Sequence, residues 1–176
     1  MDLGLELKFV GGAPVLTDEA VIEGYASLFG VADQGGDLVL PGAFAASLKK
    51  LAAKGDKVRM LWQHDPTRPI GVWDEVHEDR KGLWVKGRLL PDVAQAREAA
   101  ALITAGAIDG LSIGYRTIRA DRDGKLRRQL VEVDLWEVSL VTFPMLPEAK
   151  IGQKERGDLR EFAAMFSAAT DALRGD

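Results

Sequence analysis

The sequence predicts a single α+β domain in which a mainly antiparallel β-sheet, curved or closed into a barrel, is surrounded by a few helices. Two observations lead to this fold class. Stretches in which apolar and polar residues alternate outnumber stretches with apolar residues at helical spacing, and many alternating stretches follow one another as hairpins joined by polar turns. Counted in this way, the chain has about seven or eight strands and three helices.

The first elements along the chain are two strands and a helix. Apolar and polar residues alternate over residues 3–10, and a second strand is predicted over residues 21–29. A helix is predicted between Pro41 and Gly55, because proline is favoured at helix starts and glycine just beyond helix ends. The apolar face of this helix consists of Phe44, Leu48 and Leu51.

The middle of the chain is predicted to be mostly strand. Residues 58–64 have the composition of a buried strand, and Pro66 and Pro69 are expected to end it because proline cannot donate to a ladder. Residues 71–77 and 83–90 are predicted to pair as a hairpin across a charged turn.

A second helix precedes the last predicted strands. Asp92 is the expected N-cap of this helix, and Gly106 is expected to end it. Strands predicted over residues 111–120 and 126–141 form another long hairpin. The principal domain is therefore predicted to occupy residues 1–150.

Residues 151–176 are predicted to form a C-terminal amphipathic helix or tail. Apolar residues recur there at helical spacing, namely Leu159, Phe162, Phe166 and Leu173. Such a helix suits packing on the barrel, on a second copy of the chain or on another partner.

Composition excludes several classes of function. The 176 residues contain no cysteine, which excludes disulfides and thiolate chemistry. No metal or cofactor is expected, since one of the two histidines, His77, lies in a charged turn that is expected to be solvated. The 23 lysines and arginines are spread along a chain of net charge -4, so no nucleic-acid partner is expected. No apolar run approaches the roughly 18 residues of a membrane span, and the N-terminus lacks the features of a signal peptide.

A serine between two glycines, in the pentapeptide GLSIG at 110–114, is the most informative short motif. A serine hydroxyl becomes a good nucleophile when a base removes its proton, and His64 is the candidate base for Ser112. The pentapeptide matches the nucleophile elbow of α/β-hydrolases, but that elbow needs a strand before the serine, a helix after it and a histidine further on. This chain has none of the three, which disfavours an esterase of that class.

The expected third member is an acid that orients the imidazole, and residues 132–139 supply three acids. Strict alternation places Glu137 on one strand face with Leu135 and Ser139. A carboxylate in this apolar run is costly to bury unless it is paired, so Glu137 is the first candidate. Asp134, at the wetter end of the strand, is the second.

Other interpretations of these residues stay open. In these interpretations, Ser112 is only a small residue at the start of a strand. His64 is a hydrogen-bonded residue at the edge of a strand, and Glu137 is a solvated carboxylate on an edge strand. A serine–lysine dyad with Lys86 or Lys57 as base would need a buried lysine with a lowered pKa, and neither lysine has an apolar pocket apparent in the sequence.

Further blocks of sequence accompany the pentapeptide in a fixed order. They are GYASLF at 24–29, GGD at 35–37, PGAF at 41–44, MLWQHD at 60–65, PIG at 69–71, GLWVKG at 82–87, GLSIGY at 110–115 and DLWEVSLVTFPM at 134–145. Together they resemble the HK97-type phage prohead (capsid maturation) serine proteases, a family remotely similar to the herpesvirus assemblin proteases.

The resemblance implies a serine endopeptidase with a herpesvirus-protease-like fold, a β-barrel surrounded by helices. It implies a triad of His64, Ser112 and Glu137, which have the chain order of that fold. Assemblins use a histidine as the third member, whereas no histidine follows Ser112 here, so a carboxylate takes that place. Backbone N–H groups at Ile113 and Gly114 are the candidates for an oxyanion hole.

The resemblance also implies a biological setting. The expected substrate is the scaffold segment of the major capsid protein, followed by autocleavage of the protease itself, in the host cytoplasm inside assembling procapsids. Further copies of the chain, as a homodimer or higher oligomer, are the other expected partner. The source is a phage, a prophage or a gene-transfer particle. The alternative is a catalytically inactive capsid assembly or scaffold protein with the same fold.

Overall fold

The computed structural model describes residues 6–10, 15–16, 21–124 and 127–143. Nine strands and two helices lie in these segments. In chain order they are β1 (Glu6–Val10), β2 (Val15–Leu16), β3 (Val21–Leu28), β4 (Leu38–Val39), α1 (Ala45–Lys54), β5 (Arg59–Trp62), β6 (Asp65–Glu78), β7 (Gly82–Leu89), α2 (Ala94–Thr104), β8 (Gly110–Arg122) and β9 (Arg128–Val141).

The strands of the described segments belong to one curled sheet with the shape of a half-barrel. Neighbours follow the order β1-β8-β9-β5-β6-β7-β3-β2, and the short β4 pairs with β9 outside this path. Strand β9 runs antiparallel to β8 but parallel to β5 and β4. The predicted α+β class with a curved, mainly antiparallel sheet is confirmed.

The core is a cluster of buried apolar side chains between the sheet and the two helices. Leu48 and Leu51 of α1 pack against this cluster, and Ile103 of α2 belongs to it. The indole of Trp73 lies in the same cluster, and its Nε1 donates to the carbonyl oxygen of Val138 at 3.2 Å. The cluster therefore ties β6 to β9 across β5, and it buries the polar end of the tryptophan with a partner.

The two helices agree with the predictions except at one end. Helix α1 ends at Gly55, which has φ = 65° and supplies the predicted left-handed cap. Helix α2 has Val93 as its N-cap, so the prediction of Asp92 is wrong. Asp92 lies instead in a turn closed by a 2.9 Å bond from the Val93 N–H to the Leu90 carbonyl. The third predicted helix, in residues 151–176, lies outside the described residues. No helix in the described segments is long and apolar enough to cross a membrane.

The prediction that Pro66 and Pro69 end a strand is also wrong. Strand β5 stops at Trp62, the chain reverses, and β6 continues through both prolines. Trp62 pairs with Asp65 and Leu61 pairs with Pro69, so the residues between these two partners have no counterpart on β5. The prolines thus lie at an irregularity of the ladder, where a missing N–H costs little.

Strand β9 departs from strict alternation at Trp136. Gly114 lies opposite Glu137 whereas the next residue of β8, Tyr115, lies opposite Leu135, so Trp136 is the extra residue of a bulge. Leu135 consequently belongs to the buried apolar cluster. Leu135 and Glu137 lie opposite two successive residues of β8, and so they point to opposite faces of the sheet. The prediction that they share a face is wrong, because the bulge interrupts the alternation of side chains.

Candidate active site

A two-residue turn of Gln63 and His64 joins β5 to β6. Their φ angles are 54° and 61°, and no other non-glycine residue of the described segments has a positive φ. Two successive positive φ angles are typical of a type I′ hairpin turn, which asparagine and glycine usually occupy. Each residue held in this region costs about 1–3 kcal/mol and persists only where its surroundings hold it.

Strand β9 and the residue that follows it supply the contacts that hold this turn. Because β5 and β9 are parallel, pairing continues past the end of β5, and the N–H of Gln63 donates to the Leu140 carbonyl at 2.9 Å. The Gln63 side-chain Nε2 donates to Oγ1 of Thr142 at 2.5 Å. The backbone N–H of His64 donates to Oγ of Ser139 at 3.2 Å. The strained turn is therefore held by a strand about 75 residues further along the chain.

His64 and Glu137 form a buried acid–imidazole pair. Nδ1 of His64 lies 2.5 Å from Oε1 of Glu137, and their side chains are 10% and 4% exposed. An ionised carboxylate has only acceptors, so Nδ1 donates this bond. Oε2 of Glu137 accepts a second bond, of 2.5 Å, from Oγ of Ser139. With both oxygens bonded, the cost of burying the carboxylate is offset by its partners.

Gly114 leaves the space that the Glu137 side chain occupies. The two residues lie opposite each other on β8 and β9. A β-carbon at position 114 would lie 2.0 Å from Oε1 of Glu137 and 2.7 Å from its Cδ, which no real contact allows. The second glycine of the pentapeptide is thus required for the acid to lie where it meets His64.

Ser112 lies on the same face of the sheet as this pair. It is opposite Ser139 in the β8–β9 ladder, and directly paired residues project to the same side. Ser112 is fully buried, and both Ser112 and His64 take part in hydrogen bonds. The structure therefore brings Ser112, Glu137 and the His64 turn to one region of the β8–β9 surface.

Ile113 and Gly114, the candidates for the oxyanion hole, lie inside β8. This strand pairs with β1 along one edge and with β9 along the other. The N–H groups of a strand lie in the plane of the sheet and alternate between its edges. An oxyanion role for these two N–H groups stays a prediction, and because one of them faces β1 and the other faces β9, it requires the sheet to open locally on both sides of β8.

Asp134, the second candidate for the acid, contacts cationic side chains instead of His64. Its carboxylate accepts bonds of 3.2 Å from Nζ of Lys50 and from Nε1 of Trp136, and it lies 3.6 Å from the guanidinium of Arg116. Burial, the largest single influence, would raise the pKa of Asp134. The hydrogen bonds from Lys50 and Trp136 and the charges of Lys50 and Arg116 together outweigh burial, so the pKa lies below its ordinary value.

An open groove of about 740 Å³ leads to the His64–Glu137 pair. Helix α1 and the loop that follows it form one wall, and the start of β6 forms another. Its other lining residues include Leu51, Lys54, Lys57, Leu61, Pro66 and Trp136. The lining also includes the carboxylates of Asp56 and Asp134, and an open surface with apolar, cationic and acidic side chains suits a polypeptide better than a small apolar ligand.

The remaining candidates from the sequence do not join this region as bases. His77 is exposed near the end of β6, as expected. Lys86 is 44% exposed and pairs with Glu23 at 3.5 Å on the β3–β7 side of the sheet. Lys57 lines the groove but is exposed to solvent. The burial that a lysine base needs is absent at both lysines.

Three residues of the site were missed by the sequence analysis. Ser139 was noted only as a neighbour of Glu137 on the strand face, although its two-residue spacing from the acid predicts that both point the same way. Gln63 and Thr142 carry no chemical signal of their own. Their roles arise from the parallel β5–β9 pairing, which no local pattern predicts.

Comparison with known proteins gives consistent results. The sequence model of a family described as Caudovirus prohead serine protease matches residues 12–162. The prohead protease of Enterobacteria phage HK97 is 34% identical over 158 residues, which cover 87% of this chain, and the chain spans 66% of the length of that relative. The structure of the bacteriophage T4 capsid assembly protease, gp21, superimposes with a TM-score of 0.62 at 17% identity, covering 78% of this chain and 96% of gp21, and so shares its fold.

Proposed function

Because this chain belongs to the Caudovirus prohead serine protease family, we propose that it is a serine endopeptidase with His64, Ser112 and Glu137 as its catalytic triad. The observation that carries the proposal is the 2.5 Å contact between Nδ1 of His64 and Oε1 of Glu137, on the sheet face that also bears Ser112. An acid bonded to Nδ1 fixes the imidazole tautomer in which Nε2 is free of its proton and can act as a base.

In the proposed reaction, Nε2 of His64 takes the proton of Ser112 as its oxygen bonds to a peptide carbonyl carbon. The imidazolium then gives that proton to the leaving amine as the C–N bond breaks. A water molecule, deprotonated in the same way, hydrolyses the acyl-enzyme and restores Ser112. Glu137 stays ionised throughout and stabilises the imidazolium.

The proposed substrate is the major capsid protein, cleaved inside the procapsid in the host cytoplasm, followed by cleavage of the protease itself. The groove beside His64 supports a polypeptide substrate, since it is an open cleft lined by both apolar and charged side chains. Ile113 and Gly114 are proposed to supply N–H groups to the oxyanion. Oligomerisation of the chain belongs to the same proposal.

The proposal is tested by co-expressing the chain with its cognate major capsid protein and measuring the intact masses of both proteins. Wild type is compared with Ser112→Ala and with Ser27→Ala. Ser27 is a matched control, because it is a fully buried serine on β3 whose hydroxyl has no hydrogen-bond partner among the described residues. We expect wild type and Ser27→Ala to shorten the capsid protein and Ser112→Ala to leave it intact.

A second candidate function is a capsid assembly protein without activity, and one observation favours it. Ser112 is fully buried and Nε2 of His64 is shielded from solvent, so a peptide reaches the serine only after a rearrangement. If wild type and both variants leave the capsid protein at full length and still enter particles, this second function replaces the first.

Two further proposals concern the chain as a whole. Residues 1–150 form the protease domain, with a fold related to that of herpesvirus assemblins. Residues 151–176 form a tail that directs the enzyme to the shell or is removed by autolysis. Normal incorporation of a chain that ends at residue 150 would reject the targeting role.

A further inference from the structure

Ser139 is a second polar side chain on the face of β9 that carries Glu137. It is fully buried. Its hydroxyl donates to Oε2 of Glu137 at 2.5 Å and accepts the backbone N–H of His64 at 3.2 Å. A hydroxyl has one donor and two acceptor lone pairs, so both contacts are made at once.

Each of the two hydrogen bonds restricts the position of one member of the acid–imidazole pair. The last torsion of a glutamate is broad, and the bond to Oε2 sets the carboxylate plane so that Oε1 faces Nδ1 of His64. The bond to the His64 N–H holds the left-handed turn, with φ = 61°, from which the imidazole projects. One side chain therefore determines both the direction of the acid and the position of the base.

We propose that Ser139 is a positioning residue of the peptidase, which aligns Glu137 and His64 through its single hydroxyl. The inference rests on the proposed function, since it presumes that the pair serves Ser112. It assigns Ser139 no contact with the substrate.

Ser139 is also the alternative nucleophile by position, because it lies directly opposite Ser112 in the ladder. Its proton is committed to the Glu137 carboxylate, however, and a nucleophilic serine must give its proton to the imidazole. The direction of this bond assigns the positioning role to Ser139 and leaves the nucleophilic role to Ser112.

The first test compares Ser139→Thr with Ser139→Val in the full chain. The two side chains have nearly the same shape and both suit a strand, but only threonine keeps the hydroxyl. The readout is the rate at which a fluorophosphonate probe modifies Ser112. In this reaction the Oγ–P bond forms, the P–F bond breaks with release of fluoride, and the serine proton passes to His64.

We expect Ser139→Val to react at least about 10-fold more slowly than Ser139→Thr, because a small misalignment of catalytic groups has effects of up to roughly 100-fold. Because valine leaves Oε2 of Glu137 and the His64 N–H without this partner, Ser139→Val should also melt below Ser139→Thr. A role in folding alone would produce this difference in melting temperature and still leave the two labelling rates equal at a temperature where both variants are folded.

The second readout needs no activity and is the proton resonance of His64 Nδ1–H. A short bond to a carboxylate shifts this resonance far downfield. We expect wild type and Ser139→Thr to retain the shift, and Ser139→Val to lose it or exchange the proton rapidly. This readout applies equally in a Ser112→Ala background.

The outcomes separate the two proposals. An unchanged resonance in Ser139→Val, with labelling as fast as in Ser139→Thr, overturns the positioning role while leaving the peptidase in place. If wild type is not labelled, the proposed function is at fault, and the resonance alone decides the role of Ser139. Should threonine and valine both prevent folding, Ser139→Ala and its control Ser27→Ala are compared by the same two readouts.

Discussion

The two turns at the ends of β6 differ in what holds them. The turn before β6 consists of Gln63 and His64, and both residues have positive φ. It is held by bonds to β9 and to Thr142 just after β9, and the bonded residues are 73 to 79 positions apart in the chain. In the turn after β6, Asp79 accepts the N–H groups of Lys81 at 2.7 Å and Gly82 at 3.0 Å. The hydroxyl of Tyr25 adds a 2.5 Å bond to the same carboxylate.

Under the proposed function, the comparison separates a turn that only reverses the chain from a turn that positions a catalytic residue. An aspartate that bonds the N–H groups just after it closes its turn locally, and the bond from Tyr25, 54 residues away, is added to this local closure. The His64 turn has unfavourable backbone angles and depends on a distant strand, a combination that is typical of functional sites. Changes at the first turn should therefore alter activity, and changes at the second only stability.

The largest effect is expected for Glu137→Gln. The amide keeps the shape of the carboxylate, but it cannot stabilise the imidazolium and can donate to Nδ1, which selects the wrong tautomer. We expect the rate of capsid-protein cleavage to fall about 10⁴-fold, as for loss of the acid in a serine protease triad. Asp134→Asn is the matched control and should retain nearly full activity. The reverse order of effects would make Asp134 the acid.

The next effect is expected for Gly114→Ala, which places a β-carbon within 2.0 Å of Oε1 of Glu137. The carboxylate must move away, and we expect cleavage to slow by about 100-fold. Adding Glu137→Asp, which withdraws the carboxylate by one methylene, should restore part of the rate. Gly124→Ala is the control, because nothing lies within 4 Å of a β-carbon there. Additive losses in the double variant would count against this steric account.

A smaller effect is expected for Thr142→Val, which removes the acceptor of the Gln63 side chain while keeping the shape. This bond is exposed, so its loss should cost about 0.5–1.5 kcal/mol of unfolding free energy and reduce the cleavage rate only a few-fold. Denaturant unfolding and the labelling rate with a fluorophosphonate measure the two quantities. A loss as large as that of Glu137→Gln would mean that the bond is part of the catalytic geometry itself.

The smallest effect is expected for Asp79→Asn in the second turn. The hydrogen bond from the Tyr25 hydroxyl, followed by that from the Lys81 N–H, lowers the pKa of Asp79 below its ordinary value of 3.8. A lowered pKa gives stability that is complete above pH 3.8 and is lost as the pH falls through the lower folded value. The variant should melt slightly below wild type at neutral pH and match it in strong acid. Any change in cleavage rate would contradict the division between the two turns.

The sequence predicted the strands and α1 well because their patterns are local. Alternation predicted β1, strand runs on either side of polar turns predicted β7 and β8, and Gly55 marked the end of α1. The strand end predicted from Pro66 and Pro69 was wrong, because a proline costs little stability where the pairing between strands is already irregular. The bulge at Trp136 could not be predicted, since it depends on how β9 pairs with its partner on β8.

The chemical groups of the site could be predicted from the sequence, but the residues that hold those groups in place could not. The cost of burying an unpaired carboxylate made Glu137 the first candidate for the acid, ahead of Asp134. Glu137 is also the acid whose carboxylate contacts His64. The left-handed turn at Gln63 has no signature in the sequence, because glutamine is not a residue that such turns select. The direction in which Ser139 points was predictable from its spacing, but a serine two residues from an acid becomes meaningful only when the parallel β5–β9 pairing is known.

The parallel pairing of β5 with β9 also fixes when this site forms during synthesis. His64 leaves the ribosome 73 residues ahead of Glu137, and β6, β7, α2 and β8 are made in between. Parallel strands need a long connection, and contacts distant in sequence form late in folding. Every shorter nascent chain carries the histidine without its acid. Under the proposed function, the peptidase acquires its acid–imidazole pair only once β9 is in place, so a nascent chain that lacks β9 should not cleave the proteins being made around it.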